Sequence, residues 1–138
     1  MAVAYAIDAE HQVVLVKAWG TVTGRELLDA TDALHAMPAF RSAARELGDY
    51  RDVETVDLDS ASVQKLAARS VFAGSVPRAV VVATDVGFGM ARMYQMLREG
   101  PTGDALRVFR DMDEAIAWIG LDAHRPAVLE RLAALRGD

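Results

Sequence analysis

The sequence contains no cysteine among its 138 residues. That excludes a disulfide scaffold, cysteine metal clusters, iron–sulfur ligation and thiol catalysis, and it fits a reducing compartment. It also lacks an excess of positive charge, because 15 Lys and Arg against 20 Asp and Glu give a formal net charge of −5. Such a chain is a poor match for nucleic acid, whose phosphates call for a basic face. Long apolar runs are missing too. The longest, Met1 to Ile7, falls far short of the ~20 residues that span a bilayer, and no basic segment precedes it as a secretory signal requires. There is no internal repeat, no low-complexity tract and no Pro/Gly/Ser linker. The expectation is a soluble cytoplasmic chain with one core, which 52% hydrophobic residues can fill without metal or cofactor.

What is present is an alternation of strand-like and helix-like periods, the pattern of a layered α/β domain. Val3 to Asp8 and Gln12 to Trp19 flank the turn Ala9-Glu10-His11 and predict an antiparallel hairpin ended by Gly20. Thr23-Gly-Arg-Glu26 has the spacing of a capping box and opens a helix that Pro38 should stop near Met37. A short strand is expected over Leu47 to Val53. Asp59 or Ser60 then caps a helix with the stripe Val63, Leu66, Ala67, Ser70 and Val71, closed by Gly74 and Pro77. Ala79-Val-Val-Val-Ala83 has no alternation and reads as a strand covered on both faces. Thr84-Asp85 can cap a third helix, Val86 to Glu99, with Val86, Met90, Met93 and Leu97 as its buried stripe, ended by Gly100-Pro101. Leu106 to Arg110 is a last strand, Asp111 caps a fourth helix, and Val128, Leu129, Leu132 and Leu135 mark a fifth. The expected order is β-β-α-β-α-β-α-β-α in a mixed, mainly parallel sheet, with residues 1–120 as the α/β domain and 121–138 as a C-terminal helical extension. The uncovered stripe of that extension suggests a homodimer.

The hairpin, Asp49-Tyr-Arg51 ahead of Val56-Asp-Leu-Asp-Ser60, Phe88-Gly-Met-Ala-Arg-Met93, and Val108-Phe-Arg-Asp111 with Glu114-Ala-Ile-Ala-Trp-Ile-Gly120 together resemble the SpoIIAA-like family. That family belongs to the STAS/SEC14-like superfamily and contains many uncharacterised bacterial proteins; the resemblance covers residues 3–120. It implies a small regulatory β/α fold. Related anti-sigma-factor antagonists switch partners by phosphorylation of a serine in an Asp-Ser-Ser-Gly helix start, which here reads Asp59-Ser-Ala-Ser62, matches at Asp59 and Ser60 and lacks the glycine. Ser60 is thus the phosphorylation candidate. The lipid-carrying relatives are much larger, and a chain of this size leaves little room for a lipid-sized cavity, so no lipid function is carried over.

Binding sites in such sheets gather beyond the carboxyl ends of the strands. Asp49 and Arg51 share a strand face there and can either pair with each other or leave Arg51 to hold an anion. Thr84-Asp85-Val-Gly-Phe-Gly89 places Gly87 and Gly89 at a helix start whose N–H groups can hold phosphate or carboxylate, or can simply be capped. Phe88, with Arg92 beside it, falls opposite the predicted stripe and would suit a partner or a flat ligand, or pack under the Thr102 to Ala105 loop. His11, His35 and His124 share no metal-ligand spacing, and no Gly-x-Ser-x-Gly elbow occurs. The reading is a non-catalytic regulatory or ligand-sensing module that binds a protein partner or a small anionic or aromatic ligand. The alternative is a small hydrolase or transferase with Asp49 or Asp85 as base, which a histidine or serine within hydrogen-bond reach of either would favour.

Overall fold

The hairpin forms as expected from β1 (Val3–Asp8) and β2 (Val13–Thr23), paired antiparallel from Val3 opposite Ala18 to Asp8 opposite Val13. Gln12 takes a φ of 53° to close the turn. Gly20, at φ +64°, does not end the strand; it sits at a register irregularity after which β2 continues to Thr23. The computed structural model describes residues 2–69, 76–98 and 105–136. Helix α1 (Gly24–Ala36) opens on the expected capping box, in which Glu26 N–H donates to Thr23 Oγ1 at 3.2 Å and Thr23 N–H to Glu26 Oε1 at 3.3 Å. A 3-10 turn over Pro38–Ser42 leads into β3.

Strand β3 (Arg45–Asp57) is far longer than the Leu47 to Val53 segment expected, because β2 continues alongside it as far as Thr23 opposite Asp57 and supplies ladder partners that outweigh poor local propensity. Helix α2 (Ser60–Arg69), β4 (Pro77–Val82), α3 (Asp85–Arg98), β5 (Ala105–Phe109), α4 (Met112–Trp118) and α5 (Arg125–Ala134) follow. Ser70, Val71, Gly74, Gly100, Pro101 and Thr102, to which the sequence assigned helix, turn or loop roles, lie outside the described residues. The sheet order is β1-β2-β3-β4-β5, with every pair after the hairpin parallel.

Sequential parallel strands joined by crossovers of one hand put α1, α2 and α3 on the same face of the sheet. The opposite face takes α4 and α5. Two cores result: Val3, Val14, Val16, Val22, Ala30 and Leu34 lie on the first side, and Val13, Leu15, Leu47, Val81, Ile116 and Val128 on the second. Helix α4 ends in a Schellman motif, with Leu121 N–H on Ile116 O and Gly120 N–H on Ala117 O, and Gly120 supplies the required positive φ of +79°. Helix α5 packs on this face, with Val128 and Leu132 buried in the same cluster as Val13 and Leu15. The uncovered stripe from which a homodimer was argued is therefore covered within its own chain.

Helix α3 departs from its predicted orientation. Val86, Met96 and Leu97 are exposed at 61, 66 and 46%, Met93 is exposed as well, and the side turned inward carries Gly87, Ala91, Tyr94 and Gln95. Hydrogen bonds decide the rotation. Gln95 Nε2 donates to Leu106 O at 2.8 Å in a buried setting, and Arg98 Nη1 donates to Ala67 O at 2.8 Å. Those polar ends find their acceptors only when this face is inside.

Candidate functional site

Between the sheet and α1–α3 the first core is incompletely filled. A cavity of about 170 Å³ remains, walled by Val16, Val80 and Val82 from the strands and by Ala30, Leu66 and Met90 from the helices. Its walls are overwhelmingly apolar, but one end is not. Glu46 and Arg78 stand opposite each other on β3 and β4, and Arg78 Nε donates to Glu46 Oε1 at 3.2 Å with both residues buried. Arg78 Nη1 donates to the Tyr94 hydroxyl at 3.0 Å, and the guanidinium carbon lies 5.3 Å from the centre of the Tyr94 ring.

The second tyrosine reaches this end by folding back along its own strand. Tyr50 lays its ring over Gly48, where a Cβ would come within 2.8 Å of Tyr50 Cε2. Burial pushes the Tyr50 hydroxyl well above the usual tyrosine range, and the negative charge of Glu46 adds to that. It stays protonated and makes no hydrogen bond among the described residues. The cavity end therefore combines a neutralised ion pair with two tyrosine hydroxyls.

The residues singled out from the sequence fall in three places. Asp49 and Arg51 lie beside β2 away from the cavity, and they do pair: Arg51 Nε and Nη2 donate to the two Asp49 oxygens at 2.9 and 3.0 Å. Lys17 Nζ donates to Asp49 at 2.9 Å and to Asp52 at 3.0 Å. Burial alone would raise the Asp49 carboxyl, but the bonds from Arg51 and Lys17 outweigh it and hold the group below the usual carboxylate range. The Arg51 fork is thus committed to Asp49. At the start of α3, Thr84 Oγ1 caps the Gly87 N–H at 3.0 Å, and both residues border the cavity. A Cβ at Gly89 would meet nothing within 4 Å, so no close approach requires glycine there. Asp85 accepts from Arg110 Nη2 at 2.9 Å, and the same guanidinium covers the half-buried Phe88 at 4.7 Å from its ring centre. Arg92 Nη1 donates to Gln95 Oε1 at 2.9 Å. Ser60 is exposed at the first turn of α2, where Asp59 accepts from the Ser62 N–H at 2.8 Å.

Chain distance hid the cavity end. Glu46 and Arg78 are 32 residues apart, and the only local signal was an arginine interrupting the apolar run after Pro77. His11 and His124 also meet, with ring centres 4.7 Å apart, although neither shares a spacing with the other. Asp8, Glu10 and His11 bring ligand atoms close enough for a cation. Both Asp8 oxygens are already engaged, by the His11 ring at 2.8 Å and its backbone N–H at 3.2 Å.

This fold is similar to that of a solved structure. It is an uncharacterised protein of the DUF3478 family with a SpoIIAA-like fold from Shewanella loihica PV-4, similar over 86% of this chain and 93% of that one, with a TM-score of 0.57 and 18% identity. The fold is SpoIIAA-like. No family model and no curated protein matches the chain. In this SpoIIAA-like chain no described helix is long and apolar enough to cross a membrane.

Proposed function

We propose that this chain is a non-catalytic, ligand-sensing regulatory module that holds one small molecule between its sheet and α1–α3. The observation that carries the reading is the cavity of about 170 Å³ with a polar end. Protein interiors are close-packed and tolerate few voids larger than a water molecule, so a space this large in a small core is a feature to be explained. Its size is close to the ~150 Å³ of an apolar cavity that takes up benzene. That favours a ring-sized ligand over a lipid chain. The environment of the two aspartates also supports a binding role. Asp49 is held by Arg51 and Lys17 and Asp85 by Arg110, and no histidine or serine is hydrogen-bonded to either among the described residues. Binding would reach the outside through α3, which borders the cavity with Gly87, Met90 and Tyr94 and exposes Val86 and Met96 on its other side.

The test is calorimetric titration of the full chain with benzyl alcohol, beside an Ala30→Leu variant that fills the space. Saturable one-site binding to the parent and its loss in the variant are expected. Equal behaviour of the two, or no binding to either at millimolar ligand, would overturn the proposal.

A further inference from the structure

We infer that the cavity ligand is an uncharged amphipath of about one ring, whose head both accepts and donates hydrogen bonds and is held by Tyr50, Tyr94 and Glu46. The inference rests on the ligand-sensing reading above and adds the chemical class of the ligand.

The hydrogen-bond inventory sets the head group. A tyrosine hydroxyl has one hydrogen to donate and lone pairs to accept with. The Tyr50 hydroxyl makes no hydrogen bond among the described residues, and Tyr50 borders the cavity, where a ligand can supply one. The Tyr94 oxygen accepts from Arg78 at 3.0 Å, which leaves its hydrogen for another acceptor. Glu46 Oε1 takes the Arg78 Nε–H, and Oε2 makes no hydrogen bond among the described residues. Two donors and one acceptor therefore border one end of an apolar space. A ligand oxygen satisfies the tyrosines, and a ligand N–H or O–H satisfies Glu46.

Charge excludes the ionic alternatives. Glu46 and Arg78 neutralise each other at this end, so an anionic head would be desolvated against the Glu46 carboxylate and a cationic head against the Arg78 guanidinium. Among the described residues neither finds an unmatched counter-charge. A carboxamide or an alcohol gives up less solvation and completes the bonds. The walls behind it, from Val16, Val80, Val82 and Leu66, take the apolar body.

The experiment titrates the full chain near neutral pH with five probes of one body: benzamide, benzyl alcohol, benzoate, benzylammonium and toluene. Benzamide and benzyl alcohol should bind, with both ions weaker by more than about tenfold. Tyr50→Phe should weaken benzamide by about fivefold while leaving toluene unchanged. That variant removes a hydroxyl with no hydrogen-bond partner among the described residues, so its urea midpoint should equal the parent's. Toluene binding as tightly as benzamide, or benzoate binding best, would overturn the head-group inference and leave the ligand-sensing reading in place. Binding by none of the five would overturn both.

Discussion

Replacing Ala30 by leucine should raise stability or leave it unchanged, although it adds bulk at a buried core position. Ala30 lies within α1, is 7% exposed and borders the cavity. Leucine is nearly as good a helix former as alanine, so the helix itself is not the issue. Three added carbons entering existing space are worth about 0.8 kcal/mol each, or roughly 2.4 kcal/mol together. Ordering the leucine side chain costs roughly 0.5–1 kcal/mol, leaving a net gain of about 1–2 kcal/mol. In a filled core the same change would force strained rotamers and cost about 1–3 kcal/mol. The two cases differ in sign, which makes the result decisive. Urea unfolding followed by circular dichroism reads it directly, provided the slope is unchanged so that the midpoint reports stability. A loss above about 1 kcal/mol, the overpacking range, would refute the open cavity.

Gly48→Ala should turn the Tyr50 ring into the cavity, since the new Cβ would lie 2.8 Å from its edge; titration should then find benzamide affinity reduced in a folded protein. Lys17→Met should cost about 2–3 kcal/mol in urea unfolding, because Asp49, 1% exposed, would keep only Arg51 as counter-charge. Leu132→Ala should cost about 2–5 kcal/mol, as α5 belongs to the core; a loss below 1 kcal/mol would contradict that placement. The lowered Asp49 carboxyl gives a pH dependence of defined sign. A depressed folded-state value means the stabilisation is complete above the ordinary carboxylate value and is lost as pH falls through the folded one, so urea midpoints should hold from about pH 7 to pH 5 and drop below about pH 4. Asp49→Asn should flatten that acid limb.

Local features were legible in the sequence because their partners are close in the chain. The Thr23–Glu26 capping box, the hairpin turn, the Asp111 cap of α4 and the pairing of Asp49 with Arg51 each need only a few residues. The doubly covered β4 was legible from composition, since both of its faces meet helices. Orientation was harder to read, because hydropathy ranks Val86 and Leu97 above Gln95 and Tyr94 and cannot see that Leu106 O and the Arg78 guanidinium wait on neighbouring strands. The polar end of the cavity was hidden for the same reason. Glu46 meets Arg78 only through the β3–β4 register, and Tyr50 reaches back only because residue 48 is glycine. Chain length spoke only to a lipid-sized cavity; the ring-sized one follows from how α1–α3 rest on the sheet, which no local pattern encodes.

A small molecule should enter one face of the sheet and leave the other undisturbed. Methyl-resolved NMR of the full chain during titration with benzyl alcohol tests it most directly, because the two cores report separately. Saturable shifts are expected of the Val16, Val80 and Val82 methyls beside α1–α3, with those of Val13, Leu15 and Val81 beside α4 and α5 unmoved. Shifts of equal size on both faces, or none at saturating ligand, would contradict it.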